Sequence, residues 1–502
     1  MPLSDDALMC PATAVAQHLC SAAPLLAALM VLGLAMGGCS LVPGYQQPVT
    51  SVPEGWATPG TSSGPTVAVD PTWWRSFGDP ELAALMDRAL AGSFNLQAAV
   101  ARIDEARGTA EVAGAAQYPA VAAIGSIDAS NGFATSHTQS VFAQASYEID
   151  FWGKNRAVAK SAEALVHATA FDSQTIVLTL TSTVADTYFQ VLSLRERLRL
   201  AQQIAQSARH ILSIIEAQRS GGTASDLQIE QQRNAVFTFE SAVPIFRQQL
   251  DQSLHLLAVL AGGIPEGFDV AGQDLNKMAL PQIQADLPAK ILRRRPDIQA
   301  AEARLVSSNF DIGAARAAFY PSITLTASGG VASKSLSSFS PATLVSDTAA
   351  GLVQPLFEGG RLEGQLRFDR ARLVELAATY RQTVIAALQD TEDALTAAGQ
   401  LKELETIDSQ AVDAARRAMD LANTQYQMGI VDFLTVLTAE RTLYQAEDTL
   451  LQVRLLRLQA AVGLFRALGG GFDEQSVAAV LAERSPSPLG INSPRSTDRS
   501  SL

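Results

Sequence analysis

Groups able to do covalent or metal chemistry are few in this chain of 502 residues, and badly spaced for it. The three cysteines, Cys10, Cys20 and Cys39, all fall within the first 39 residues, so the rest of the chain holds neither a thiolate metal site nor an internal disulfide. His18, His137, His167, His210 and His255 are scattered without the spacing of a ligand set, and neither a P-loop nor a dinucleotide fingerprint occurs. The 37 Lys+Arg against 50 Asp+Glu leave a net charge of -13, and Arg293 to Arg295 is the only dense basic cluster. Phosphate binding needs clustered cations, so nucleic acid is excluded as a partner. No metal, no cofactor and no catalytic residue is expected, and the sequence does not read as an enzyme. A hydrophobic content of 47% with 17% charged residues describes a folded protein rather than a disordered one.

Cys39 has a different use. Leu25 to Met36 is an apolar run of 12 residues, too short to span a bilayer and the length of a signal h-region, and Gly37 and Gly38 precede the cysteine. The arrangement resembles a bacterial lipobox, which makes residues 1-38 a signal peptide and Cys39 the acylated first residue of the mature chain. Ser40 follows where an inner-membrane retention signal would place Asp, so the outer membrane is favoured. Residues 39-75 are rich in Pro, Gly and Ser and read as an extended strap, and residues 471-502 end in a polar, Pro-containing tail expected to be disordered.

The elements between strap and tail form a duplication. NLQAAVARI (Asn95 to Ile103) reappears as DIQAAEARL (Asp297 to Leu305), and AQYPAV (Ala116 to Val121) as AFYPSI (Ala318 to Ile323), each 202 residues on. DFWGK at Asp150 answers PLFEGGR at Pro355, while Gly222 and Leu227 answer Gly429 and Leu434 at an offset of 207. A period this long marks a duplicated domain and not a solenoid. Each half reads helix, two strands, very long helix, turn, helix. Lys154 to Arg219 and Arg361 to Gln427 lack proline over about 66 residues each, enough for about 100 Å of helix. Apolar residues recur along both at alternating three and four spacings, from Val177 through Tyr188 to Leu198 and from Leu373 through Tyr380 to Leu395, as in a coiled-coil seam. Gly221-Gly222 and Gly429 would reverse the chain at the ends of these helices.

The strands are two-faced. Val141, Ala143, Ala145, Tyr147, Ile149 and Phe151 alternate with Phe142, Gln144, Ser146, Glu148 and Asp150, and Ile323, Leu325 and Ala327 with Ser322, Thr324, Thr326 and Ser328. Such strands fit a transmembrane β-barrel or a half-buried soluble sheet. Two more strands, at about Ala120 to Ser130 and Ala349 to Phe357, alternate poorly. Four strands cannot close a barrel, so strands in a membrane would require a dimer of eight or a trimer of twelve.

LPAKILRRRPDIQAAEARL (Leu287 to Leu305), running on through IGAARAAFYPSITL, together with WWRSFGDPEL (Trp73 to Leu82) and PLFEGGR, resembles the signature of the bacterial outer-membrane efflux proteins, TolC-like ducts, and in particular their NodT-type lipoprotein branch. The resemblance covers Trp73 to Leu468, with one repeat over residues 76-270 and the other over 271-470. It implies a mainly α fold with a transmembrane β part: a trimeric 12-stranded β-barrel, an α-helical periplasmic barrel and an equatorial domain near Gly262 to Pro296. It further implies a homotrimer, anchored in outer-membrane lipid through Cys39, that is the exit duct of a tripartite efflux pump. Such a duct passively conducts drugs or other small solutes and docks with a periplasmic adaptor and an inner-membrane pump of the RND class. A type I protein secretion duct and a pore-less periplasmic coiled-coil scaffold are the alternatives.

A conduit needs a lined bore, a gate and a docking surface. By that resemblance Arg219, Gly222, Ser225, Tyr426, Gly429 and Val431 form the adaptor-docking tips. Leu434 matches an apolar constriction, and Tyr426 and Arg441 match gate-network positions. Thr438 stands where relatives often place an acidic residue, with Asp226 and Asp432 nearby. Gln144, Ser146, Glu148, Thr324 and Thr326 would line the barrel lumen. Asp297 is expected to N-cap the helix that follows Pro296.

Overall fold

The computed structural model describes residues 40–57, 69–130, 136–272, 274–281, 288–333, 343–472 and 477. Cys39, the signal segment, part of the strap and nearly all of the tail lie outside them. Eight helices are present among the described residues: α1 (Pro80–Gly92), α2 (Phe94–Ala115), α3 (Lys154–Ser220), α4 (Asp226–Leu260), α5 (Pro288–Arg294), α6 (Pro296–Ala317), α7 (Arg361–Gln427) and α8 (Phe433–Ala467). Four strands, β1 (Ala120–Ser130), β2 (Ser136–Ile149), β3 (Ser322–Ser333) and β4 (Thr343–Val353), pair antiparallel in chain order. Among the described residues no helix is long and apolar enough to cross a membrane.

Two compact units divide the chain, and each draws on both repeats. Among the described residues the first takes those up to Gln46 and those within Gly108–Ala164 and Leu305–Glu375, and so holds the sheet. Its register places Val121, Ala123, Val141, Ala143, Ala145, Tyr147, Leu325, Ala327, Ala350 and Leu352 on one face. Gln144, Ser146, Glu148, Thr324 and Thr326 share the other, with Gln144 opposite Ser328, Ser146 opposite Thr326 and Glu148 opposite Thr324. Along Thr324 to Gly329 the apolar-face positions Leu325, Ala327 and Gly329 are exposed while Thr324, Thr326 and Ser328 are half-buried. A soluble sheet buries its apolar face, so this ordering is inverted. β4 starts six residues earlier than alternation places it and stops at Val353, before Pro355, which has no N–H for a ladder.

The strand-to-helix passages tie the repeats together. Trp152 Nε1 donates to the Pro321 carbonyl at 2.8 Å and its ring lies 4.6 Å from that of Tyr320. Asp150 accepts from the backbone N–H groups of Asn155 and Arg156, at 3.0 and 2.8 Å, and so satisfies free donors of the first turn of α3. Leu41 to Pro43 of the strap are held on α6: Asn309 Nδ2 donates to the Pro43 carbonyl at 2.8 Å, and a Cβ on Gly313 would come within 2.4 Å of Val42.

The second unit comprises the described residues within Gln47–Arg107 and Leu165–Arg304 and from Leu376 onward. Its main core packs Trp73, Trp74 and Phe77 with Leu82, Leu85 and Met86 of α1, Val184 to Leu192 of α3, Leu257 of α4 and Leu458 to Phe465 of α8. The WWRSFGDPEL segment is thus a packing motif. Trp73 stacks on Phe465 with centroids 5.0 Å apart, and Asp79 caps α1 while accepting from Tyr188 Oη at 2.6 Å. Along the long helices, Leu180, Val184, Tyr188, Val191 and Leu194 of α3 and Tyr380, Val384, Thr391 and Leu395 of α7 are buried. Asp297 is not the N-cap of α6. Pro296 already occupies the first helical position, which proline's fixed φ suits, and Asp297 instead accepts from Arg295 Nη2 at 2.7 Å.

Candidate functional site

The ends of the two helix pairs are built alike. After α3, Gly222 at φ 77° lets the Thr223 N–H reach back to the Gln218 carbonyl at 2.9 Å. After α7, Gly429 at φ 70° lets the Ile430 N–H reach the Gln425 carbonyl at 2.9 Å. These are Schellman closures, and the positive φ requires glycine. The caps that restart the chain differ. Ser225 caps α4 through a capping box with Gln228, whereas Asp432 caps α8 by accepting from Thr435 N–H at 3.0 Å and Thr435 Oγ1 at 2.7 Å.

Charge at the two turns is held locally. Arg219 clasps Asp226 with Nε–Oδ1 at 2.6 Å and Nη2–Oδ2 at 3.2 Å, and the Arg219 hydrogen bonds and charge hold the Asp226 carboxyl below its usual range. The Thr435 hydroxyl and N–H hold Asp432 low as well. Each chain therefore presents two ionised carboxylates at its turns.

Behind the turns the second helix pair seats on the first. Phe433 and Leu437 of α8 pack among Ala205, Ala208 and Ile215 of α3 and Ala235, Val236 and Phe239 of α4. Tyr426 joins them edge-on to Phe433 at 5.8 Å, with its hydroxyl 3.3 Å from Gln218 Oε1. Leu434 and Thr438 fall on the opposite face of α8. With Asp432, Thr435, Ala439 and Thr442, and with Ala415, Ala418 and Ala422 of α7, they line a groove of about 460 Å³. Leu434 is 52% exposed; Arg441, two turns further along α8, is also exposed but does not line the groove. Val431 is half-buried and Gly222, Ser225 and Gly429 are on the surface or at its edge. The structure so brings Asp432, Leu434 and Thr438 into one groove, pairs Asp226 with Arg219, and turns Tyr426 toward the packed seam.

Three features were not marked from sequence. Arg197 of α3 forks onto Asp448 of α8 at 2.6 and 3.0 Å, and its guanidinium lies 4.5 Å from the centre of the Phe246 ring of α4. Phe433 anchors the seam. Glu440 is 3% exposed within it, with both carboxyl oxygens unpaired. The heptad spacing Phe433, Leu437, Glu440, Tyr444 was the available signal for the last two.

A four-stranded antiparallel sheet and two pairs of very long helices in one duplicated chain define the class of TolC-like outer-membrane channels. The outer membrane efflux protein family model matches residues 85–263 and 287–470, and the chain belongs to that family. It is 37% identical over 463 residues to the pyoverdine export outer membrane protein OpmQ of Pseudomonas aeruginosa, covering 89% of this chain and 97% of that one. It is 31% identical to the probable efflux pump outer membrane protein TtgC of Pseudomonas putida, covering 93% of this chain and 99% of that one. The solved outer-membrane channel OprN superposes with a TM-score of 0.81 at 27% identity, over 86% of this chain and 99% of that one. The protein is an outer-membrane exit duct of an efflux pump, partnered by an adaptor and an inner-membrane transporter. Neither the secretion duct nor the pore-less scaffold is favoured.

Proposed function

We propose that three copies pool their sheets into a 12-stranded barrel in the outer membrane, and that their long helices continue as an α-helical conduit in the periplasm. The inverted exposure along β3 supports this most directly: Leu325 and Ala327 are exposed while Thr324, Thr326 and Ser328 are half-buried, on a sheet whose edge strands β1 and β4 have no outer partner among the described residues. An open edge in lipid leaves backbone groups unpaired, and closure with neighbouring copies removes it. Gln144, Ser146, Glu148, Thr324 and Thr326 then face the lumen. Repeats at residues 76-270 and 271-470 each supply one two-stranded segment and one helical hairpin.

The mature chain begins at Cys39, whose acyl groups and strap fasten it to the membrane. Arg219, Gly222, Ser225, Gly429 and Val431 dock the adaptor. Tyr426, Asp432, Leu434, Thr438, Arg441 and Asp226 form the gate region, where threefold symmetry turns each inward side chain into a ring. The duct conducts passively, without catalysis, and serves an RND-type pump. Its cargo is small solutes, in keeping with a relative named for pyoverdine export. Purification from outer membranes tests the reading: heat-resistant trimers that conduct in planar bilayers are expected, and a monomer without conductance would overturn it.

A further inference from the structure

Glu440 stands at a core position of the α8 seam, in line with Phe433, Leu437 and Tyr444, yet it carries a carboxyl group. Neither of its oxygens reaches solvent or a hydrogen-bond partner of ordinary geometry, and its polar neighbour is the Ser207 hydroxyl of α3. At the adjacent position of α3, Gln232 of α4 donates through Nε2 to the Ala208 carbonyl at 2.9 Å while its buried Oε1 stays unpaired. Cations on the surrounding helices are engaged elsewhere: Arg209 of α3 with Glu240 of α4 at 2.5 Å, Arg233 of α4 with Glu230 and Glu216 at 2.8 and 3.3 Å, and Arg416 of α7 with Glu447 of α8 at 2.8 Å. His210 of α3 and Arg441 of α8 are exposed. An ionised carboxylate here would be a buried charge without a counter-ion, which is strongly destabilising. A protonated one is a small neutral group that the seam tolerates.

We propose that Glu440 is a proton-operated latch, which holds α8 against α3 behind the tip when protonated and loosens that contact when it ionises. Desolvation pushes the Glu440 carboxyl up to about 7, against a weaker opposing pull from Ser207. In a locally opened seam the group regains water and titrates near the ordinary carboxylate range. The packed state therefore binds the proton more tightly than the opened one, and opening becomes more favourable as pH rises through about 7. The latch rests on the gate assignment only for its consequence, that an alkaline compartment at the tip eases opening.

Amide hydrogen exchange on intact trimers, corrected for intrinsic rates, tests the latch directly. Between pH 5.5 and 7.5 a proton site moving from about 7 when packed to about 4.5 when opened raises the opening constant of Phe433 to Tyr444 about twenty-fold. Glu440→Gln keeps the shape and cannot ionise, so its profile should be flat at the protected level. Asp186→Asn, which alters a second half-buried carboxyl elsewhere on α3, should leave the twenty-fold change in place. A flat wild-type profile, a pH dependence that survives in Glu440→Gln, or one abolished by Asp186→Asn overturns the latch. Bilayer conductance measured beside it should rise over the same window; conductance that stays constant while exchange changes would refute the gate assignment and leave the latch standing.

Discussion

The Arg197–Asp448 fork ties the hairpin of the first repeat to that of the second, and removing it should loosen the contact between α3 and α8. Its side chains are 16% and 18% exposed, so it is neither a surface pair nor a fully buried one. Exposed pairs contribute about 0 to 1 kcal/mol, and breaking a buried pair costs about 3 to 5 kcal/mol. Two charge-assisted bonds at 2.6 and 3.0 Å in this intermediate setting give about 2 kcal/mol for Asp448→Ala. Arg197→Ala also loses the stacking on Phe246, which adds about 1 kcal/mol. Arg197→Lys keeps the charge but not the planar fork, and should fall between wild type and the alanine variant.

Local opening read by hydrogen exchange is the suitable assay, because global unfolding of a membrane assembly is not a two-state measurement. A loss of about 2 kcal/mol should raise the opening constant of α3 and α8 around the pair about thirty-fold, since about 1.4 kcal/mol is tenfold. The double variant should lose less than the sum of the single ones, with a coupling of about 1.5 kcal/mol. If each single variant exchanges within about threefold of wild type and the effects add, the two hairpins are held by apolar packing alone and the reasoning fails.

Other changes follow from the same geometry. Asp226→Asn breaks the exposed clasp with Arg219, so if the proposed docking role of this turn holds, thermal stability should be unchanged while adaptor binding, measured on the immobilised protein, weakens and loses salt dependence. Gly330→Leu should abolish heat-resistant trimers on denaturing gels, because a Cβ there would lie 2.1 Å from the Val141 carbonyl oxygen and would spread β2 from β3. Cys39→Ser should lose incorporation of labelled palmitate while the unprocessed chain stays detectable by mass. Asp186, raised to about 7 by burial, destabilises the packed helices as pH rises through that value, so amides of α3 around Asp186 should exchange more slowly in Asp186→Asn than in wild type at pH 8 and equally at pH 4.

Much of the fold is legible because it depends on long, regular patterns. Sixty-seven residues without proline and with an apolar seam along them read as helix, and α3 and α7 begin at Lys154 and Arg361, directly after the glycines that end the strand-to-helix passages. β4 is harder. TLVSDTAAGLV offers small residues on both faces, so alternation lacks contrast and the strand is fixed by pairing with β3 instead. The turn glycines and caps are readable locally, since φ and capping chemistry act within a few residues. Glu440 and the Arg197–Asp448 fork are not, because a carboxylate on a helix is ordinarily solvated, and only the face that α8 turns toward α3 and α4 decides otherwise.

That choice of face is also where the duplication breaks down. With Gly222 set against Gly429, Phe246 corresponds to Val453 and Leu257 to Leu464, and all four are buried. Closer to the turns the match is lost. Gln232, Ala235, Val236 and Phe239 are buried in α4, while their counterparts Ala439, Thr442, Leu443 and Ala446 are not. Conversely Phe433, Val436, Leu437 and Glu440 are buried in α8, while Asp226, Ile229, Glu230 and Arg233 are not. Equivalent helices thus bury the same face at one end and different faces over the last 20 Å or so, about fourteen residues of helix. Substitution accounts for part of the divergence: Asp226 and Arg233 are held at the surface by ion pairs with Arg219 and with Glu216 and Glu230, whereas Phe433 packs in the seam. Within one chain the α7–α8 hairpin consequently supplies the knobs and the α3–α4 hairpin the socket. Only the knob side carries a titratable group in the seam. Motion at the tip should therefore begin in α7–α8, with α3–α4 as the fixed surface, and the two hairpins of each chain are matched in length but not in role.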